Sequence, residues 1–527
     1  MRAKLGIAIM MTVLVLISFP DFLEANSAGT VTPIPVNSCI IINQSGYYIL
    51  TEDITESGDM TCILITASNV VFDGMGHRVG GLGNYHTVGV YAQGSDTLVN
   101  VTVRNLVVSE WFHGIYYKNV RTGKIENNTV TSTYGVGIFL WDSTGLTVRN
   151  NTVSSNYAEG IFLHNSSHSV VVNNSASFDY DGIILSALSN FNIVSGNNAS
   201  SNTNKGISID GSSNNTLTRN YVGGNGYVGI FLQRAMGNRI AENKIISNRD
   251  HGIQLTSSRN NSIVGNDVRL NGRDGICLEL STHNSISENR VTENLFRGVS
   301  LWRSSGYNTV ANNTIRTNNE AGISIDSSNG NTIVHNNVSS NKYGINIIFS
   351  EDNLIYDNYF NNPKNAQADR QNRWNIEKTA GTNIIGGPCL GGNYWSDYSG
   401  RDTDGDGFGD TMLPYTSGGN ILRGGDYLPL VPVTGTASCT PATTTSTTSP
   451  SSTASSTTTT SSTSTVSPST TTPPTSTPPI SSSTTTSEES GSTTQSTSGK
   501  APTICGPVLL SGLALIPIIF GKLKQKK

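Results

Sequence analysis

Acidic residues hold equivalent places in neighbouring copies of a short repeat. Glu159 and Asp181 each stand directly before a repeated glycine, and Asp142 lies earlier in the chain. If successive copies stack as strands, Glu159 and Asp181 come within about 5 Å of each other. Carboxyl groups separated by ~5 to 9 Å are what glycoside hydrolysis uses. These acids are candidate catalytic residues of a polysaccharide hydrolase or lyase, although turn positions are also polar simply because they face water.

A second group of ionisable residues follows the same column further along the chain. His251, Asp274 and Arg297 precede three successive repeat glycines. They have the chemistry of a general base, its partner and an anion clamp. The competing interpretation is again a solvated row of turn residues.

Aromatic residues recur two positions after several of the glycines, where an alternating strand turns its side chains outward. The predicted aromatic strip consists of Tyr116, Phe139, Phe162 and Phe231, with Trp141 and His164 in the next outward column. Sugars stack on exposed aromatic side chains, so the strip indicates polysaccharide binding. The alternative is that turns or caps cover the rings, because a large exposed apolar patch on a soluble protein invites association.

An Asp-rich loop near the end of the repeats has the spacing of a calcium loop. Asp402, Asp404 and Asp406 occupy positions 1, 3 and 5, with Gly407 at the turn, the Phe408 carbonyl at 7 and Asp410 at 9. Leu413 replaces the Glu of position 12, and Asp397 or Asp426 is a candidate substitute. We expect structural calcium here; the alternative is an acidic turn without metal.

All of these residues depend on a repeat of 22 to 24 residues with the pattern Gly-Ile-x-Leu. The repeat is too short for two helices and their turns. Its apolar residues alternate over strand-length segments that Gly, Asn and Ser interrupt. The repeat glycines are Gly114, Gly137, Gly160, Gly182, Gly206, Gly229, Gly252, Gly275, Gly298, Gly322 and Gly344, with a weaker copy at Gly89. The sequence predicts a right-handed parallel β-helix of about twelve coils of about 23 residues.

Asparagines stand at fixed offsets from the glycines. They are expected to occupy tight corners in a left-handed conformation and to stack as ladders of side-chain amides. One set, fourteen positions after the glycines, is Asn128, Asn151, Asn174, Asn220, Asn243, Asn266, Asn289, Asn312, Asn336 and Asn358. The other, four positions before them, is Asn156, Asn202, Asn225, Asn248, Asn271, Asn294 and Asn318.

Composition bounds the function. Only 13% of the 527 residues are charged and the net charge is −4, which argues against a nucleic-acid partner. Residues 1–28, with an apolar run after Arg2 and Lys4, predict a secretory signal peptide, or otherwise an uncleaved anchor helix. Residues 440–500, rich in Ser, Thr and Pro, predict a stalk that suits O-glycosylation, and residues 504–527 predict a hydrophobic anchor or sorting signal with a basic tail.

The remaining divisions follow the repeat. Residues 37–88 are predicted as an N-terminal cap with the first coils, residues 89–360 as the β-helix, and residues 361–435 as the C-terminal cap. An exported chain permits disulfides. Cys39 with Cys62 and Cys389 with Cys439 are the natural pairs, because each pair flanks one end of the repeats.

Several segments resemble a known family. They are CIIINQSGYYILTEDI, SNVVFDGMGHRVGG, the coils themselves, and GGNYWSDYSGRDTDGDGFGDTMLPY followed by GDYLPL. Together they resemble NosD-like right-handed β-helices of the carbohydrate-binding and sugar-hydrolase type, in particular archaeal members. The resemblance implies a pectin-lyase-like fold and no single activity. Copper delivery has little support, because the histidines and methionines form no cluster apart from His164 and His168.

The end of the chain carries a second resemblance. Cys505-Gly506-Pro507, an apolar stretch and a lysine-rich tail are similar to the CGP-type sorting signal of hyperthermophilic archaeal surface proteins. This resemblance implies a processed or lipid-linked anchor, with Cys505 as the modified residue.

Many Asn-x-Ser/Thr sequons are predicted to fall in the ladder corners, where a stacked amide is closed to glycosylation. They begin at Asn43, Asn100, Asn127, Asn150, Asn165, Asn198, Asn214, Asn260, Asn312 and Asn337.

The sequence therefore predicts an exported protein anchored at the cell surface by its C-terminus, which binds a polysaccharide or surface glycan along the aromatic strip. The alternatives are a polysaccharide lyase or glycoside hydrolase, and a structural envelope or adhesion protein without a small ligand.

Overall fold

The computed structural model describes residues 32–433 and Cys439. Within these residues the chain forms a parallel β-solenoid, as the repeat predicts, and each coil contributes short strands to three long faces. Only Thr379–Ala380 and Cys389–Leu390 pair in the antiparallel sense as named strands. The predicted signal peptide, the stalk of residues 440–500 and the tail with Cys505 lie outside the described residues.

The front sheet contains the Gly-Ile-x-Leu strands. Its strands, in spatial order, are Ile40–Ile42, Thr61–Ile65, Val88–Ala92, His113–Lys118, Ile138–Trp141, Glu159–His164, Asp181–Ser186, Ile207–Asp210, Ile230–Gln233, Ile253–Thr256, Ile276–Glu279, Val299–Trp302, Ala321–Asp326, Tyr343–Ile348 and Lys364–Ala368.

The second sheet follows the front sheet around each coil. Its strands are Ile34–Val36, Gly46–Leu50, Val70–Asp73, Leu98–Arg104, Val120–Glu126, Thr144–Arg149, Val170–Val172, Ile193–Ser195, Thr216–Thr218, Arg239–Ala241, Ser262–Val264, Ser285–Ser287, Thr309–Ala311, Thr332–Val334 and Leu354–Tyr356.

The third face is divided into two parts. The first has Ile54–Ser57, Arg78–Gly81, Val107–Ser109, Thr129–Thr131, Thr152–Ser154 and Ser175–Ser177. The second has Tyr221–Gly223, Lys244–Ile246, Asp267–Arg269, Arg290–Thr292, Thr314–Arg316, Asn337–Ser339, Tyr359–Asn361 and Tyr394–Trp395. Single bridges at Asn198 connect the two parts.

The core is a continuous column of inward aliphatic side chains. Ile253 lies in register with Ile276, and Leu255 with Leu278, and all four side chains are fully buried. Alternation in the strand sends the intervening residues outward. The front sheet has fifteen strands, more than the twelve coils predicted, because residues of both predicted caps add strands to it.

The asparagine ladders form, but the left-handed residue is not the one predicted. Each ladder side chain is buried, and the residue directly before it carries the positive φ. Arg219, Glu242 and His335 take this conformation beside ladder asparagines, at φ of 54°, 55° and 55°. The corner therefore accepts several residue types, whereas the position after it is an asparagine in most coils.

Two further details of the ladders differ from the prediction. The coil that starts at Gly298 has one extra residue, so that the ladder residue there is Asn313, which accepts from Asn289 Nδ2 at 3.0 Å, and Asn312 is exposed. A third ladder, at the corner between the front and second sheets, runs through Asn192, Asn215, Asn238, Asn261, Asn284, Asn308, Asn331, Asn353 and Asn372.

The prediction that sequon asparagines are stacked inside is wrong. All ten are exposed. Asn127 and Asn150, for example, occupy the left-handed corner position, and the buried ladder residue is the next one, Asn128 or Asn151. Five of the sequons begin one residue before a ladder asparagine, at Asn127, Asn150, Asn214, Asn260 and Asn312, and their Ser or Thr starts the next strand.

Both predicted disulfides are present, Cys39–Cys62 and Cys389–Cys439. The first ties the opening coils together, since the two cysteines stand on neighbouring coils near adjacent front-sheet strands. Across residues 32–433, no helix has the length and hydropathy needed to cross a bilayer.

One ladder position holds a carboxyl group in place of an amide. Asp179 Oδ1 accepts from the backbone N and from Nδ2 of Asn156, at 2.9 and 2.8 Å. Its Oδ2 is buried and has no hydrogen-bond partner among the described residues. On the next coil, the equivalent Nδ2 of Asn202 donates to Asn225 Oδ1 and to Ala176 O. Only a protonated Asp179 can donate as an amide does at this position.

The first prediction concerns the pH dependence of stability. Burial raises the pKa of Asp179 to about 7, above the ~3.9 of an unfolded Asp, so the folded state holds a proton that the unfolded state releases. The contribution of Asp179 to stability therefore falls as pH rises from about 4 to about 7, by up to about 1.4 kcal/mol per pH unit. We expect Asp179→Asn to remove this slope and to raise the melting temperature at pH 8.

The measurement is urea unfolding from pH 4 to pH 8. Asp142→Asn is the matched control, because it removes an exposed carboxylate that lies outside the ladder. Equal pH slopes for the wild type and Asp179→Asn would contradict the assignment.

Candidate functional site

Four aromatic rings stack on the outer surface of the front sheet. Tyr91, Tyr116, Phe139 and Phe162 stand in register on successive strands. Neighbouring ring centroids are 4.7, 4.7 and 5.0 Å apart, with interplanar angles of 17°, 14° and 4°. The structure thus brings Tyr116, Phe139 and Phe162 together as predicted and adds Tyr91. The signal for Tyr91 was its place two residues after Gly89, the weak copy of the repeat.

The stacking determines which part of each ring meets solvent. Faces of consecutive rings cover each other, and Phe139 in the middle is only 6% exposed. A ligand on this ring stack therefore contacts ring edges and the two end faces, not the face of each ring.

The next outward column supplies a second, smaller stack. Trp141 and His164 lie side by side with centroids 4.3 Å apart, and both are half-buried. His164 Nδ1 is 3.2 Å from Ser186 Oγ. Phe231 does not join either stack, because Ile184 and Ser208 occupy the two intervening strands.

Glu159 and Asp181 are in register on adjacent strands, as predicted. A third charged residue, Lys205, completes the column on the next coil. Its backbone N donates to Asp181 Oδ1 at 2.7 Å, and its Nζ is 3.9 Å from Asp181 Oδ2 and 5.3 Å from the Phe231 ring centroid. Lys205 directly precedes Gly206, so the same column rule identifies it.

The electrostatics of this cluster favour proton transfer. Burial raises the pKa of Glu159, and the neighbouring charge of Asp181 raises it further. Burial also raises the pKa of Asp181, against the opposing effect of Lys205. Lys205 lowers the pKa of both carboxyl groups, so burial and this cation act in opposite directions on each. Asp142 does not belong here: it follows the opposite end of its strand, is exposed, and accepts from Asn165 Nδ2 at 2.7 Å.

His251, Asp274 and Arg297 also come together on three successive coils. The backbone N of Asp274 donates to His251 Nδ1 at 3.2 Å, and Asp274 Oδ1 accepts from the backbone N of Arg297 at 3.1 Å. Burial, with the positive charge of Arg273, lowers the pKa of His251 to about 3. Burial raises the pKa of Asp274 to about 6. The imidazole is therefore neutral near pH 7 and its Nδ1 lone pair is engaged, a geometry that favours a structural role.

The Asp-rich loop brings three carboxylates together. Single oxygens of Asp402, Asp404 and Asp410 lie within 4.8 Å of one another. Asp402 accepts from the backbone N of Gly405 and Gly407, at 2.7 and 2.9 Å. These oxygens are the hard donors that calcium prefers.

Other predicted ligands of the loop point elsewhere. Asp406 pairs with Lys378. Phe408 is buried, and its backbone N donates to Asp406 Oδ1 at 3.0 Å. Asp397 accepts from Asn365 Nδ2 and the Tyr415 hydroxyl, and Asp426 is fully buried as an acceptor for Trp395 Nε1. Neither therefore supplies the missing position 12 in this arrangement.

Two family models match the chain. Residues 38–222 match the right-handed β-helix region, and residues 246–400 match the periplasmic copper-binding protein NosD. These matches and the solenoid described above support a NosD-like right-handed β-helix protein. The NosD family is described as periplasmic. No curated protein matches the sequence.

Solved structures with a similar solenoid have low sequence identity to this chain. The A-module of the Azotobacter vinelandii mannuronan C-5 epimerase AlgE6 is 17% identical, over 62% of this chain and 89% of that one, with a TM-score of 0.42. The Dettilon tailspike protein is 17% identical, over 53% and 58%, with a TM-score of 0.39. The periplasmic alginate epimerase AlgG is 14% identical, over 59% and 77%, with a TM-score of 0.37.

The residues present do not fit copper. Copper sites gather several His, Cys or Met side chains. Within the described residues, one group of possible ligands contains carboxylates only, and the other combines His251 with Asp274 and Cys277. The single imidazole of the second group already accepts a backbone hydrogen bond at Nδ1. We therefore derive no function through copper.

Proposed function

We propose that this chain is an exported surface protein that binds polysaccharide along the front sheet. The observation that carries the proposal is the ring stack of Tyr91, Tyr116, Phe139 and Phe162 on four consecutive coils. The fold itself does not require aromatic residues in this column, because Ile184 and Ser208 occupy it further along. A contiguous apolar patch of this kind on an outer surface is typical of a binding site.

The polar residues beside the ring stack suit a carbohydrate. Lys118, Trp141 and His164 stand in register in the adjoining column. They offer hydrogen-bond donors next to apolar edges, the combination that a sugar with C–H groups and hydroxyls requires. Export and anchoring through Cys505, as the sequence suggests, would present this surface outside the cell.

The second prediction tests the proposal at Trp141. Trp141→Ala removes the largest half-exposed ring beside the ring stack. We expect polysaccharide affinity to fall about three- to tenfold, which is the usual contribution of one aromatic contact. Affinity electrophoresis through gels with acidic or neutral polysaccharides measures the change. Tyr307→Ala is the matched control, because Tyr307 is an exposed ring that stacks on His283 at a distant corner. Equal retention of wild type and Trp141→Ala on every polysaccharide would refute binding at this surface.

The cluster of Glu159, Asp181 and Lys205 favours a second candidate, a polysaccharide lyase or hydrolase. It lies at one end of the ring stack, since Glu159 starts the strand that carries Phe162. A protonated Glu159 serves as general acid, and Asp181 held by Lys205 serves as the carboxylate partner.

The third prediction separates this candidate from binding alone. If the protein is an enzyme, hot incubation shortens a polysaccharide as measured by size-exclusion chromatography. Glu159→Gln or Asp181→Asn then lowers the rate about 100-fold or more, the usual contribution of acid–base catalysis. Asp142→Asn, at the opposite end of the neighbouring strand, retains the rate. Unchanged chain length across acidic and neutral polymers would eliminate the catalytic candidate and leave the binding proposal intact.

We also propose that the Asp-rich loop binds calcium as a structural ion. Asp402, Asp404 and Asp410 supply the convergent oxygens. Desolvation raises the pKa of Asp404, and the neighbouring charges of Asp406 and Asp410 raise it further. Asp406 would join after release from Lys378, with the Phe408 carbonyl as a further oxygen.

The fourth prediction is a rise in melting temperature with calcium. Calcium at 100 times its Kd adds about 2.7 kcal/mol to the free energy of unfolding. Asp404→Asn weakens this response, whereas Asp96→Asn, an exposed acid outside the loop, retains it. Identical melting curves of the wild type in calcium and in chelator would refute the site.

A further inference from the structure

A groove at the corner between the third face and the front sheet contains exposed aromatic rings. It encloses about 630 Å³, within the usual range of ligand clefts. Its aromatic residues are Tyr134, Tyr157, Phe178 and Tyr180, which are 52%, 72%, 66% and 49% exposed. We call this feature the corner groove. It lies on a different surface from the ring stack, which is on the front sheet.

The ladder fixes where these rings stand. Tyr157 directly follows the ladder residue Asn156, and Tyr180 follows Asp179. Tyr134 follows Thr133, whose backbone N donates to Asn156 Oδ1 at 3.0 Å in the ladder position. Because the ladder side chain points inward, the next residue points out of the corner.

The repeat does not demand aromatic residues at this position. On the following coils the same place is held by Thr203, Gly226 and Arg249. The tyrosines are therefore confined to three neighbouring coils. With Glu110 at one end and Thr203 at the other, the lining covers five coils, or about 19 Å, the length of a short oligosaccharide.

The ring faces in the corner groove differ from those of the ring stack. Tyr134 packs against Gly83 on one side, where a Cβ on the glycine would lie 2.2 Å from its Cε2 atom. Its other face stacks on Tyr157, with centroids 5.2 Å apart and an interplanar angle of 2°. Among the described residues, no further ring stacks on Tyr157. The outer face of Tyr157 thus faces the space beside Phe178 and Tyr180.

The lining is polar but carries little net charge. Ser132, Ser155 and Thr203 offer hydroxyl groups between the rings. Glu110, the one carboxylate in the lining, forms an ion pair with Arg78 at 2.7 Å. A neutral, hydroxyl-rich ligand matches these groups, whereas a polyanion finds no cation here to compensate its charge.

We propose that the corner groove is a separate binding site for a neutral oligosaccharide, one sugar of which stacks on the outer face of Tyr157 while Phe178 and Tyr180 form the opposite wall. The inference shares with the proposed function only the class of ligand. It does not depend on binding at the ring stack.

The test uses the full chain and a set of neutral hexasaccharides (cellohexaose, mannohexaose, xylohexaose and maltohexaose), with hexagalacturonate as the anionic comparison. Isothermal titration calorimetry gives the Kd of each. We expect at least one neutral hexasaccharide to bind more tightly than hexagalacturonate. Tyr157→Ala weakens that binding about three- to tenfold. Tyr157→Phe retains it, because the ring face remains, and this variant separates lost stacking from lost folding.

Two controls distinguish the sites. Tyr307→Ala removes a comparably exposed ring from another corner and leaves the Kd of the neutral hexasaccharide unchanged. Trp141→Ala instead reports on the front sheet, because a neutral ligand that also binds beside the ring stack loses affinity in this variant. The inference is overturned if no neutral hexasaccharide binds at millimolar concentration, or if Tyr157→Ala binds as tightly as the wild type. Loss of binding in Trp141→Ala alone would assign the ligand to the front sheet, which rejects the corner groove and supports the proposed function.

Discussion

Each ladder asparagine binds the coil before it and the coil after it. Asn243 Nδ2 donates to Asn266 Oδ1 at 3.0 Å and to Leu217 O at 2.9 Å, while its Oδ1 accepts from Asn220. Every polar atom of this buried amide is thereby used. An unsatisfied buried donor or acceptor costs about 1–3 kcal/mol, so a slip of one residue in any coil would be penalised at every ladder position. The ladders therefore hold the register of the whole solenoid.

Because the register is fixed, the position of a residue within the repeat determines where it lies on the surface of the solenoid. A residue two places after a repeat glycine points away from the core of the front sheet, and a residue directly after a position of the Asn156 ladder points out of its corner. The surface thus consists of straight columns with a spacing of about 4.8 Å. Functional residues can therefore occupy a few coils of one column without a change in the core. Glu159, Asp181 and Lys205 form such a group on three successive coils, whose core strands keep the repeat pattern.

The period of the repeat predicts most of the fold because one offset describes every coil. It locates the front sheet and the neighbours Phe139 and Phe162. The two disulfides are predicted from a different signal, the places of their cysteines at the two ends of the repeats. The period fails at Asn312, since a single inserted residue moves the ladder to Asn313. The period also does not predict contacts between segments outside the repeats. For example, the spacing of the Asp-rich loop does not indicate that Lys378 pairs with Asp406.

The repeat predicts where aromatic residues lie but not how their rings are oriented. Consecutive coils are about 4.8 Å apart, which leaves room for one ring per coil and none for a sugar between two rings. In an uninterrupted aromatic column, neighbouring rings such as Tyr116 and Phe139 therefore stack and cover each other's faces. Faces remain open only where neighbouring rings of a column do not stack: among the described residues Tyr157 stacks on Tyr134 but not on Tyr180 of the next coil. On a β-helix, a break in the stacking of an aromatic column is a better sugar-stacking position than its continuous part.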